Sequence, residues 1–234
     1  MIVGLLPLGG KGTRLGTITP KPLMPTITDD GIVPLYRHAL GRLAGIAEVV
    51  YSLVHVDTCS CVRHTDLPTL ETNELELPAA LADAASTIRL VHGSGTWIAL
   101  AFPDSIWHMD GYMADLVDAV RGDGAVGLFD APADQLDHVE LDGPRVRGIV
   151  TKKAGAAGIV RGWGSFIVRA DALEKFTASE KDGPQLGRLD LGWAYLGEYA
   201  DLGTPERYIA HHDQREGHGD LQPARAGLAQ DSPT

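Results

Sequence analysis

The chain has 234 residues, 44% of them apolar and 22% charged, with a formal net charge of −11. That length buries one sizeable core and makes a single domain the expectation. The acidic balance speaks against a protein that coats nucleic acid or lies on a membrane surface. No apolar run approaches the roughly 18–20 residues of a membrane span, and no basic stretch precedes the apolar start, so neither an anchor nor a secretory signal is expected.

Two cysteines, Cys59 and Cys61, lie too close for an ordinary disulfide and lack partners for a zinc site. They read as reduced thiols of a cytoplasmic protein. His211, His212 and His218 invite a metal reading, but they lack the His- and Cys-rich spacing of structural sites.

Short apolar runs alternate with helical patterns along the chain, which predicts an α/β domain. Met1–Leu8 reads as a buried first strand. Pro34–Gly45 reads as a helix, with Leu35, Ala39, Leu43 and Ile46 on one face, Pro at its start and Gly at its end. "AEVVYSLVHV" is a second strand. Leu77–Ala85 is a short Ala/Leu helix, followed by a weaker strand at Thr87–His92. "TWIALAF" is another buried strand and empties into Pro103–Ser105. Tyr112–Arg121 has helical spacing and leads to the strand "GAVGLF".

"HVELDGPRVRGIVTKK" alternates around Asp142–Gly143 and predicts a β-hairpin. "WGSFIVRADALEKF" is a strand turning into a helix. "LGWAYLGEYADLGTPERYIAHHD" is a strand, a tight turn and a helix with Thr204 as N-cap and Pro205 at its first position. The expected domain spans 1–213, and the remainder, 214–234, turns to Gly, Pro, Ala and Asp as a flexible tail does.

The most informative stretch is "PLGGKGTRLGTITPKPLMP", Pro7 to Pro25. A strand that ends in closely spaced glycines lets backbone N–H groups approach a phosphate without obstruction by Cβ. Gly9, Gly10 and Gly12 suit that role. Arg14 offers a planar fork to phosphate oxygens, and Lys21 offers a point charge. The stretch is not a Walker A loop, which needs Gly-Lys-Ser/Thr after a four-residue gap. It also fails the third glycine of the dinucleotide pattern Gly-x-Gly-x-x-Gly.

"GGKGTRL" followed by "PKPLMP" resembles the signature of the sugar-1-phosphate nucleotidyltransferases, the pyrophosphorylases that make nucleotide sugars. Later segments resemble the same family in the same order. "IALAFPDSIW" is similar to its metal-aspartate strand, "VRGIVTKK" to its Glu-Lys strand, "GWGSFIV" to its Gly-aromatic strand and "YADLGTPERY" to its second metal-aspartate segment. The likeness runs from about residue 1 to about 213. The compact members it most resembles are the heptose-1-phosphate guanylyltransferases and N-acetylmuramate-1-phosphate uridylyltransferases.

The resemblance implies a Rossmann-like α/β fold, with a mixed, mostly parallel sheet, flanking helices and a small β-hairpin lobe. It implies a nucleotidyltransferase with two small-molecule partners, a nucleoside triphosphate and a phosphorylated acceptor, and neither nucleic acid nor membrane. Leu8, Gly9, Gly10, Gly12, Thr13 and Arg14 would bind the nucleotide. Lys21, Lys152, Lys153 and Gly164 would bind the acceptor, with Arg14 and Lys21 as the catalytic cations. Asp104 and Asp201 would hold Mg²⁺. The oligomeric state stays open, with a homodimer as one option.

Three departures bear on substrate. "RLGTITPKP" is shorter than the family's loop, and Lys152–Lys153 stands where members carry Glu-Lys. The Ala-rich segment "ELELPAALADAA" lacks the glycines that usually help to read the base, so the base stays open. An ammonium at Lys152 favours an acceptor with an extra acid group, or else it is a solvated hairpin lysine. A cytidylyltransferase acting on a phosphocholine- or phosphonate-type acceptor is therefore a second reading, and a catalytically silent nucleotide-binding homologue a third.

Arg14 is the only guanidinium of the opening loop. On this reading Arg14→Ala lowers turnover by about 10²-fold or more, the scale of losing one transition-state charge contact, and leaves folding intact. Steady-state rates within a few-fold of the parent would remove Arg14 from the site.

Overall fold

The computed structural model describes residues 1–9, 19–28, 31–58, 65–107, 111–133, 137–150, 155, 157–174, 188–197 and 199–217. The cysteines Cys59 and Cys61 lie outside them. Strand β1 (Ile2–Pro7) occupies the centre of a nine-stranded sheet, between β4 (Val49–His55) and β6 (Trp97–Ala101), and is parallel to both. β5 (Thr69–Thr72) adds a parallel edge beyond β4. On the other side β11 (Ile159–Arg169) runs antiparallel to β6, and β8 (Gly124–Pro132) antiparallel to β11; β12 (Leu191–Tyr195) then pairs in parallel with β8. Apart from β11, these strands all point the same way, so their C-terminal ends share one rim of the sheet.

A central strand buried on both faces must be apolar throughout. β1 meets this with Val3, Leu5 and Leu6, all inaccessible to solvent. Helices α1 (Leu35–Ala44) and α3 (Tyr112–Asp118) cover one face. Helices α2 (Leu77–His92) and α4 (Ala170–Leu173) cover the other. Full burial of each Leu, Ile or Phe in these layers stabilises the fold by about 1.5–3 kcal/mol. The Tyr112 hydroxyl is drawn into one of them, and its burial raises the phenol well above its usual range. Among the described residues no helix is long and apolar enough to cross a membrane.

The strand expected at Thr87–His92 is instead the last part of α2. Its β-branched residues suggested extended backbone, but Ile88 falls on the same helical stripe as Leu81, Ala84 and Ala85, and all four are buried. Packing overrode local preference. The continued helix also brings Arg89 to Glu174, with bidentate hydrogen bonds of 2.6 and 3.0 Å that hold the Glu174 carboxyl below its usual range. The cap at Thr204 is as expected: helix α5 (Pro205–Gly217) starts there, and the Arg207 N–H lies 3.4 Å from Thr204 Oγ1.

The predicted hairpin is β9 (His138–Asp142) and β10 (Arg145–Val150). Two small antiparallel pairs were not foreseen: β2 (Pro25–Thr28) with β3 (Gly31–Pro34), and β7 (Ser105–Trp107) with β13 (Tyr199–Asp201). Their strands are only three or four residues long, too short for alternation to stand out.

Gly124 sits where β8 crosses β11, and a Cβ there would lie 2.1 Å from the Ile167 carbonyl oxygen and 2.9 Å from Val168 Cα. Backbone cannot retreat as a side-chain tip can. Gly124→Ala should therefore destabilise the fold by at least about 2 kcal/mol, lowering Tm by about 4 °C or more. An unchanged melting curve would contradict this packing.

Candidate active site at the sheet rim

The rim of the parallel strands is where open α/β sheets hold ligands. The ladder of β1 continues one residue past its end, through a 2.8 Å bond from the Leu8 N–H to the Leu53 carbonyl. At Gly9 the chain then runs so close to β4 that a Cβ would stand 2.9 Å from the His55 backbone nitrogen. Leu8 and Gly9 thus lead the chain out over the rim. Gly10, Gly12, Thr13 and Arg14 lie outside the described residues, as do Lys152 and Lys153.

Lys21 opens a single 3-10 turn, Lys21–Leu23, preceded by Pro20 and containing the buried Pro22. Two prolines preset the extended entry and the first helical angle. The turn is closed by the Leu23 N–H to Pro20 carbonyl bond of 2.9 Å, and the next residue is tied to α1 by the Leu35 N–H to Met24 carbonyl bond of 2.8 Å. So anchored, the Lys21 ammonium donates to the Asp104 carboxylate, with both side chains largely shielded from solvent.

Asp104 lies just past the end of β6, in the turn closed by the Ser105 N–H to Phe102 carbonyl bond of 3.2 Å. The next residues form β7, and its partner β13 brings Asp201 opposite Ser105. The Leu202 N–H donates to the Asp104 carbonyl at 2.9 Å. Two residues 97 positions apart in the chain are therefore neighbours in backbone, Asp104 one residue before β7 and Asp201 opposite its first residue. Opposed residues on such a pair have Cα atoms about 4.5–5.5 Å apart.

This pair is supported from below. Ile106 and Leu202 pack with Leu35, the first residue of α1, and all three are buried. Tyr208 of α5 packs against the same cluster and donates its hydroxyl to the Pro25 carbonyl on β2. Tyr199 stacks on Phe129 of β8, with ring centroids 3.8 Å apart, and its hydroxyl lies 3.0 Å from Ser105 Oγ.

Gly164 lies in β11 at a break in register against β8, between Trp163 and Ser165. Ser165 pairs with Ala101, the last residue of β6, so Gly164 borders the segment that leads to Asp104. Further along the same edge of β11, Gly162 pairs with His138, which also faces Val150 at the end of β10. The structure thus gathers Leu8, Gly9, Lys21, Asp104, Gly164 and the backbone of Asp201 at one rim. Sequence reasoning missed Phe129 and Tyr199, which had no motif, and His138, whose Nδ1 is buried with no hydrogen-bond partner among the described residues.

No family model matches the sequence, and no curated protein matches it either. Solved structures do. HddC from Yersinia pseudotuberculosis matches 92% of this chain and 100% of its own, with a TM-score of 0.65 and 18% identity. The same protein complexed with GMP-PN matches over the same shares with a TM-score of 0.68. A Bacillus anthracis protein assigned as a glucose-1-phosphate thymidylyltransferase, in complex with sucrose, matches at a TM-score of 0.70 and 14% identity, over 92% of this chain and 95% of its own. The chain has the nucleotidyltransferase-type fold. At such identities the likeness is one of backbone.

Phe129 is almost wholly buried and is the platform for Tyr199. Phe129→Ala should cost about 3–5 kcal/mol, read by chemical denaturation. Tyr199→Phe, which keeps the stack and loses one hydroxyl contact, should cost only about 0.5–1.5 kcal/mol. Equal losses would mean that the stack does not hold β13.

Proposed function

We propose that this protein is a Mg²⁺-dependent nucleotidyltransferase that joins a nucleoside triphosphate to a sugar 1-phosphate and releases pyrophosphate. The observation that carries the reading is the meeting of Lys21, Asp104 and the Asp201 backbone at the rim onto which the Gly9 loop opens. The fold shared with a thymidylyltransferase and with a protein that binds GMP-PN supports it.

In this reaction an oxygen of the sugar phosphate attacks the α-phosphorus of the triphosphate. The bond from that phosphorus to the bridging oxygen of the β-phosphate breaks, and pyrophosphate leaves with the electron pair. No covalent enzyme intermediate forms, so the protein must orient two anions and offset their charge. The loop from Gly9 through Gly12 would cradle the triphosphate with its N–H groups, and Arg14 would grip it bidentately. Lys21, released from Asp104 by an arriving phosphate, would lie between the reacting groups and reduce their repulsion. Gly164, Lys152 and Lys153 would face the acceptor.

Asp104 and Asp201 suit a hard cation, which prefers carboxylate and phosphate oxygens. The backbone supports the reading: Asp104 immediately precedes β7, and Asp201 on β13 pairs with its first residue, Ser105. When bound, Mg²⁺ would offset phosphate charge in the transition state.

The test is a matrix of nucleoside triphosphates against phosphorylated acceptors, read by pyrophosphate release with Mg²⁺. At least one pair should turn over, and none doing so would refute the proposal. With that pair, Asp104→Asn and Asp201→Asn should each remove about 10²-fold or more of kcat. The double variant should lose little more than either single one, because the two act as a unit. Losses that multiply would mean that only one carboxylate touches the ion.

A further inference from the structure

Among the described residues the hairpin β9–β10 shares one ladder pair with the main sheet, Gly162 with His138. That root lies on the edge of β11 that β6 occupies up to Ala101, so it adjoins the segment running to Asp104. From there the hairpin crosses the sheet face and buries Val139 and Val146 in the core. Its tip reaches β12, where the Trp193 indole N–H donates to the Gly143 carbonyl at 2.9 Å. Arg145 also approaches Asp190 at 3.5 Å, but both side chains are about half exposed or more, and such pairs contribute little.

We propose that Trp193 is a positioning residue for the acceptor: its indole bond to Gly143 latches the hairpin, and the hairpin sets His138 and the end of β10 against the rim. The proposal rests on the nucleotidyltransferase reading. Its reasoning is mechanical. Among the described residues one ladder pair roots the hairpin, at Gly162, and the apolar contacts of Val139 and Val146 resist lifting better than sliding, since they are non-directional. The hydrogen bond at the tip is directional and acts at the far end of the lever. β12 leads straight into β13, so the latch also links the acceptor wall to the strand that carries Asp201. The chain leaves β1 at Gly9 beside β4, with β6 and β11 lying between it and the hairpin.

The experiment uses the full-length protein and two variants. Trp193→Phe keeps the ring packed and removes the donor; Trp193→His keeps a ring N–H. Two readouts are taken: backbone hydrogen exchange of 138–150, and the two KM values in pyrophosphate release, with glucose 1-phosphate and glucuronic acid 1-phosphate as acceptors. Trp193→Phe should speed exchange in the hairpin by about 3- to 10-fold, the usual worth of one hydrogen bond. It should raise the acceptor KM by a similar factor and leave the triphosphate KM within two-fold. Trp193→His should recover part of both effects.

Unchanged exchange in Trp193→Phe would overturn the latch. Faster exchange with no change in acceptor KM, or with both KM values raised alike, would overturn its role for the acceptor. If the parent protein released pyrophosphate from no combination, the functional reading would fall and the acceptor role with it, while the exchange data would still report whether the hairpin is latched.

Discussion

The register of β13 against β7 is the constraint on which the rim depends. Asp104 leaves the end of β6 and Asp201 arrives almost one hundred residues later, and only the pairing of three residues with three places them together. So short a pair has little stability of its own. Its persistence comes from what lies on either side: the Leu35, Ile106 and Leu202 cluster beneath, and the Phe129–Tyr199 stack beside. The Leu202 N–H bond to the Asp104 carbonyl then extends the ladder by one rung, at the residue that bears the carboxylate.

The cation opposite is held by a different device. Lys21 gets its place from a one-turn helix that two prolines define and α1 anchors, so a long and flexible side chain starts from a stiff base. Holding its ammonium against the Asp104 carboxylate satisfies two charges that are shielded from water. An uncompensated charge at that depth would be costly. A positive and a negative group thus sit side by side at the rim.

The long strand β11 organises the other half of the rim. It spans β8 along one edge and serves two partners on the opposite edge, β6 below and the hairpin root above. Its break in register at Gly164 falls between those two partners. Bulges re-aim a strand at such places, and here the change of direction coincides with the change of partner. The fold therefore builds that side of the rim from a strand that is already part of the core.

Much of this was legible in the sequence. The central strands announced themselves by apolar runs bounded by glycine and proline, the α5 cap by Thr204–Pro205, and the hairpin by Asp142–Gly143. Lys21, Asp104 and Asp201 were singled out by the resemblance of their segments to a family signature, and the structure brings Lys21 to Asp104 and the backbone of Asp201 beside them. What the sequence could not decide were relations between distant parts. Residues 87–92 look extended by their own preferences and became helix because Ile88 had a buried stripe to join. β7 and β13 are too short to carry a period, and their pairing exists only because a shared apolar cluster holds them. Local preference is written residue by residue, whereas register, stacking and the reach of Trp193 to Gly143 arise when separate elements compete for the same contacts. Those are free energies of packing, and only the assembled fold supplies them.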